Sequence, residues 1–105
     1  MKPSVSYKKF LMREMKNRER ALGYLRAALE DKDQRVFLIA LRDVAEAQGG
    51  LAQLARTAQL SREHLYDMLS RKGNPEFLGL QAVLDALGFK LSVESKKPRR
   101  LKKAA

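Results

Sequence analysis

The run Leu51-Ala52-Gln53-Leu54-Ala55-Arg56-Thr57-Ala58-Gln59-Leu60-Ser61-Arg62-Glu63-His64-Leu65-Tyr66-Asp67-Met68-Leu69-Ser70 decides the fold. From Leu51, the side chains of Leu54 and Ala58 fall on one inner helical face, and Ala55 sits where a close helix approach needs a small residue. This first helix, about residues 51–57, is too short to hold alone, because isolated helices under ~12 residues are marginal in water. It therefore needs a neighbour. Ser61 has the chemistry of an N-cap, accepting amide hydrogens of a new helix that runs to about Ser70. Leu60 plugs the turn between the two, and Leu65 and Met68 anchor the second helix from beneath. Gln59 occupies the turn position where glycine is usual, and a left-handed backbone there costs about 1 kcal/mol for a residue with a Cβ. The spacing predicts two short helices at a steep angle joined by a tight turn. A purely structural helix pair has the same apolar spacing and stays open as the alternative.

The outward positions carry the functional reading. Arg62, Glu63, Tyr66 and Asp67 point away from the inner face, with Ser61 and His64 beside them. In a helix-turn-helix the second helix enters the major groove with its N-terminal residues at the base edges. Arg62 is the candidate for bidentate contact with a guanine; its alternative is a surface ion pair with Asp67 or Glu63. Ser61 can be both cap and phosphate donor. Tyr66 suits a phosphate or sugar contact, or half-buried packing. Gln53, Arg71, Lys72 and Asn74 flank the helix as phosphate candidates, each with a solvated surface role as the alternative.

Outward from this core, Gly73 closes the second helix and Asn74-Pro75 makes a turn. A further helix follows with Leu80, Val83, Leu84 and Leu87 on one face and Gly88 past its end. Lys90-Leu91-Ser92-Val93-Glu94 alternates polar and apolar as a strand does. No other segment reads as strand, so its backbone needs a partner from another chain. The reading is pairing with a second copy or a different protein, with Phe89, Leu91 and Val93 as dimerisation residues; a frayed tail is the alternative. Upstream, Phe37, Ala40, Leu41, Val44 and Ala47 form the face of a helix over 34–47 that Gly49-Gly50 stops. Asp31-Lys32-Asp33 places an acid at its start, favourable to the helix dipole. Tyr7, Phe10, Leu11 and Met15 mark a short helix, then Asn17 caps another with a stripe of Leu22, Leu25 and Leu29.

Composition narrows the function. The chain has 105 residues and a net charge of +10, distributed unevenly. Residues 1–31 hold eight Lys/Arg against four Asp/Glu, residues 32–95 hold eight of each, and residues 96–105 hold six Lys/Arg and no acid. A neutral centre between basic ends fits a folded module flanked by phosphate-holding segments; a merely solubilising tail is the bland alternative. There is no cysteine and His64 is the single histidine, so a Cys-based or multi-His metal site is excluded. No nucleophile–base pair, phosphate-cradling glycine loop or recognisable carboxylate pair is present, so neither enzymatic activity nor a cofactor is expected. No apolar run approaches the ~20 residues of a membrane span, and the start lacks a secretory signal. A cytoplasmic protein with no membrane role is expected.

Several elements together carry a family resemblance. They are Tyr24-Leu25-Arg26-Ala27-Ala28-Leu29-Glu30-Asp31, the run Phe37–Ala47 with Gly49-Gly50, and Leu54-Ala55. Leu60-Ser61-Arg62-Glu63-His64-Leu65-Tyr66, Met68-Leu69-Ser70, Gly73-Asn74-Pro75 and Leu84–Val93 complete the pattern. Over roughly residues 7–94 the chain resembles the HigA-like addiction module antidotes, a branch of the Xre/Cro-type helix-turn-helix regulators. The resemblance implies a type II antitoxin that binds its own operator, represses its operon and neutralises a co-encoded toxin of the RelE/ParE kind, and the motif with the unpartnered strand points to binding as a homodimer. A toxin-independent regulator is the alternative, and a protein-interaction module that keeps the fold without using DNA is the third. Gln59 departs from the family's turn glycine, Gly79 stands where a Thr cap is usual, and the N-terminal third is basic although such toxins are basic as a rule.

The expected fold is mainly α, with five to six helices of the Xre/Cro type and one short C-terminal strand pairing between chains. The expected organisation is an N-terminal helical extension over 1–32 as a candidate toxin-contacting segment, the helix-turn-helix domain over 33–94, and a disordered basic tail over 95–105.

Overall fold

Leu41, Val44 and Ala45 have no exposed surface, and the helix that carries them is the one around which the N-terminal half packs. A computed structural model describes residues 5–70 and 72–97, and among them forms six helices and no strand. These are α1 (Val5–Glu14), α2 (Arg18–Leu29), α3 (Arg35–Ala47), α4 (Leu51–Ala58), α5 (Arg62–Met68) and α6 (Phe77–Ala86). Helices α1, α2 and α4 pack on α3, and α4 in turn packs on α5 and α6. Met15 from the turn after α1 and Ala21, Leu25 and Ala28 of α2 join Leu54, Leu65, Leu69 and Val83 in one continuous core. No helix among the described residues is long and apolar enough to cross a membrane.

Local chemistry sets the helix boundaries. Asn17 Oδ1 accepts from the Arg20 amide at 3.0 Å, and Ser61 Oγ accepts from the His64 amide at 3.0 Å. Each satisfies one donor that the first turn leaves without a partner. At the start of α3, Asp33 Oδ1 accepts from the Arg35 amide at 3.0 Å, so the acid expected there turns the chain into the helix. Three helices end by the same device, in which a positive-φ residue lets the next amide reach back five residues. Gly50 N–H donates to Ala45 O, Leu60 N–H to Ala55 O, and Phe89 N–H to Leu84 O. The left-handed residues are Gly49, Gln59 and Gly88.

Gln59 is the one non-glycine with positive φ among the described residues, at +60°. Its side chain is exposed. Gln59→Gly is therefore expected to stabilise the fold by about 0.5–1 kcal/mol, the relieved strain exceeding the entropy cost of glycine. A rise of a few degrees in the thermal midpoint checks this, and a fall would show that the strain lies elsewhere.

Three readings of the sequence need correction. The segment Lys90–Glu94 forms no strand in the single chain. Alternating side chains do not satisfy a backbone, and no edge within the chain is offered to it. In α2 the buried stripe is Ala21, Leu25 and Ala28, whereas Leu22 is half-buried and Leu29 is exposed. Small alanines on either side of Leu25 let α2 approach α3 closely, which leaves Leu22 at the margin and Leu29 outside. Position 79 also lies inside α6, whose N-cap is Glu76 without a side-chain bond, so Gly79 is not at the cap. A Cβ at Gly79 would stand 3.2 Å from Met68 Cε, so the residue allows α6 to lie close under α5.

Candidate nucleic-acid interface

Helix α5 is seven residues long and stands on the core through Leu65 and Met68. Leu65 has no exposed surface, and Leu69, at the C-terminal cap, has none either. Seven residues cannot hold a helix by propensity alone, so this buried face and the Ser61 cap set the direction of the exposed one. Ser61, Arg62, Glu63, His64, Tyr66 and Asp67 are all exposed. Arg62, Glu63 and Tyr66 border one open depression of about 350 Å³. His64 and Asp67 border another of about 240 Å³, shared with Asn74 from the loop before α6. Five of the six predicted side chains thus divide between two depressions on one short helix, and Ser61 caps its start.

Among the described residues Arg62 forms no salt bridge, so the ion pair with Glu63 or Asp67 does not form. Gln53 is exposed on α4, and Lys72 and Asn74 are exposed beyond α5. Arg71 and residues 98–105 of the basic tail lie outside the described residues. Of the expected dimerisation residues, Phe89 packs partly on the core with its ring 5.2 Å from the Arg18 guanidinium, while Leu91 and Val93 are exposed. Arg18 also donates to Gly88 O at 2.7 Å, tying the start of α2 to the end of α6.

Sequence reasoning missed a residue outside the helix pair that meets its exposed face. The Arg42 guanidinium of α3 lies 5.4 Å from the centre of the Tyr66 ring, a cation–π contact that orients the phenol from its side. Arg42 Nε is 3.7 Å from Glu46 Oε2, and Glu46 Oε1 accepts from Lys8 Nζ at 3.2 Å. A chain of charged side chains therefore runs from α1 across α3 to α5. The four-residue spacing of Arg42 and Glu46 was legible, but nothing local linked them to Tyr66.

Beside this chain, the Tyr24 hydroxyl donates to Asp43 Oδ2 at 2.7 Å. Burial pushes the Asp43 carboxyl above its ordinary range, opposed by the Tyr24 hydrogen bond and by the charges of Lys8 and Arg42. Burial and the bond to Asp43 both push the Tyr24 phenol upward. The bond between them ties α2 to α3. Among the described residues no cluster of three or more His, Asp or Glu side chains could hold a metal ion.

Short helices, a capped and turn-linked helix pair, and a polar face built on a buried leucine define a small, mainly helical protein. The chain belongs to the probable addiction module antidote protein family, which it matches over residues 6–95. An uncharacterized protein of Haemophilus influenzae is 39% identical over 71 residues, covering 68% of this chain and 72% of that protein. No solved structure matches the chain. An antidote is defined by what it neutralises, so the family implies a partner toxin.

Proposed function

We propose that this antidote is a cytoplasmic, sequence-specific DNA-binding antitoxin of the HigA-like Xre/Cro type, without enzymatic activity. It binds its own operator as a homodimer, represses its operon and neutralises a co-encoded toxin of the RelE/ParE kind. The observation that carries the reading is α5. A seven-residue helix is seated by Leu65 and Met68 and opened by Ser61, with an unpaired Arg62 and a ring-stacked Tyr66 on its exposed side. A helix presented in this way suits the major groove, where an arginine can bond two acceptors of one guanine.

Gel retardation with the DNA upstream of its own gene tests this. Arg62→Ala is expected to weaken specific binding about tenfold to a hundredfold and to leave non-specific binding nearly unchanged. Equal losses on both DNAs would reduce Arg62 to a phosphate contact. Removing residues 96–105, which hold six Lys/Arg, is expected to flatten the dependence of affinity on salt, because fewer counterions are released. An unchanged slope would place the tail away from phosphate.

The basic N-terminal third favours a second reading, a DNA-binding regulator that meets no toxin, because it is a poor surface for a basic partner. Co-purification with the product of the neighbouring gene separates the two.

A further inference from the structure

Beyond Phe89, whose amide is bonded to Leu84 O, residues 90–97 take part in no backbone–backbone hydrogen bond among the described residues. The segment nonetheless has a seat. Leu91 and Phe37 border two adjoining grooves, about 340 and 440 Å³, with Leu29 of α2 between them. Leu22 and Leu25 of α2 and Leu84 of α6 line the first. Leu29 is 57% exposed and Leu91 37%, so two large apolar side chains on these grooves stand partly uncovered, and Val93, two residues further on, is 97% exposed. A two-stranded ribbon is marginal alone but holds when it lies against helices.

The occupant is indicated by the segment's own pattern. Read antiparallel to itself about Ser92, Lys-Leu-Ser-Val-Glu sets Lys90 opposite Glu94, Leu91 opposite Val93, and Ser92 opposite Ser92. Two-fold symmetry makes each of the first two pairs twice. Opposite charges and branched apolar side chains directly across an antiparallel ladder are both stabilising, whereas like charges there are not. A shift by one residue loses both charge pairs.

We propose that residues 90–94 pair with the same residues of a second copy, antiparallel, on a two-fold axis through Ser92, and that this ribbon is the dimer contact. The pairing gives each segment the hydrogen bonds it lacks and brings the partner's Val93 beside Leu91 and Leu29. It specifies the interface of the dimer proposed above and rests on that dimer, though not on DNA binding.

The chain has no cysteine, so a single introduced thiol reports the register in the full-length protein. Residues opposite each other in an antiparallel pair have Cα atoms about 4.5–5.5 Å apart, within disulfide reach. Ser92→Cys is expected to form a disulfide-linked dimer under mild oxidation. Glu94→Cys is not, since its own copy lies about 13 Å along the ladder. Glu94→Lys is expected to raise the dimer dissociation constant on the order of tenfold, and the double variant Lys90→Glu, Glu94→Lys to restore it. A dimer by sedimentation that cross-links equally at both positions, or ignores the charge reversal, overturns the register while leaving the dimer. A chain that is monomeric at every concentration, or that pairs this segment only with a toxin, overturns both. Operator retardation by the unaltered protein, measured alongside, reports on the DNA reading by itself.

Discussion

Leu65→Ala is expected to cost about 2–5 kcal/mol of folding free energy, the range for removing a fully buried leucine and leaving a cavity. Leu65 has no exposed surface and is, with Met68, one of the two residues through which α5 itself is buried. Domains of this size are stable by roughly 5–15 kcal/mol, so the loss is a large share of the total. The midpoint of urea unfolding, followed by helical circular dichroism, measures it. Leu65→Met fills most of the same volume and should cost less than about 1.5 kcal/mol. Should the alanine variant unfold at the wild-type midpoint, the buried seat assigned to α5 is wrong. The orientation of Arg62 and Tyr66 goes with it.

Tyr24→Phe is expected to cost about 1.5–3 kcal/mol near neutral pH, because it removes a donor from a half-buried carboxylate. The pH dependence distinguishes this from simple loss of packing. With Asp43 raised in the folded state, its contribution is fully present below the ordinary carboxylate range and is lost as pH rises through the folded value. The Tyr24 bond offsets that loss, so the variant should fall behind the wild type most where Asp43 is charged and least in acid. Tyr24 is also raised, so its stabilisation is intact below pH 10 and is lost as pH climbs through the folded value. The phenylalanine variant has no such alkaline limb, and the two stability curves should converge again there. A difference that is flat in pH would mean the hydroxyl contributes nothing through Asp43.

The family implies a partner toxin, and a polar link runs from Lys8 of α1 through Glu46 and Arg42 of α3 to Tyr66 of α5. The N-terminal helices share one core with α4 and α5, so they stand in mechanical contact with the candidate DNA-facing surface.

What could be read without coordinates was whatever a few neighbouring residues decide among themselves. Asn17 and Ser61 cap the helices expected of them, Gln59 adopts the left-handed turn, and Gly49-Gly50 and Gly88 close theirs. Caps and turns involve partners two to five residues away, so their geometry is written locally. The inner face of the helix pair was legible for the same reason, with Leu54, Ala55, Leu65 and Met68 all buried. Tertiary structure alone decided which side of α2 faces inward, since that depends on how closely α3 approaches rather than on which side chains are larger. It alone joined Tyr24 to Asp43, Arg18 to Gly88 and Arg42 to Tyr66, contacts that span 19, 70 and 24 residues of chain. Periodicity reports one element at a time, whereas these pairs exist only after packing has carried distant elements within reach of each other's charge.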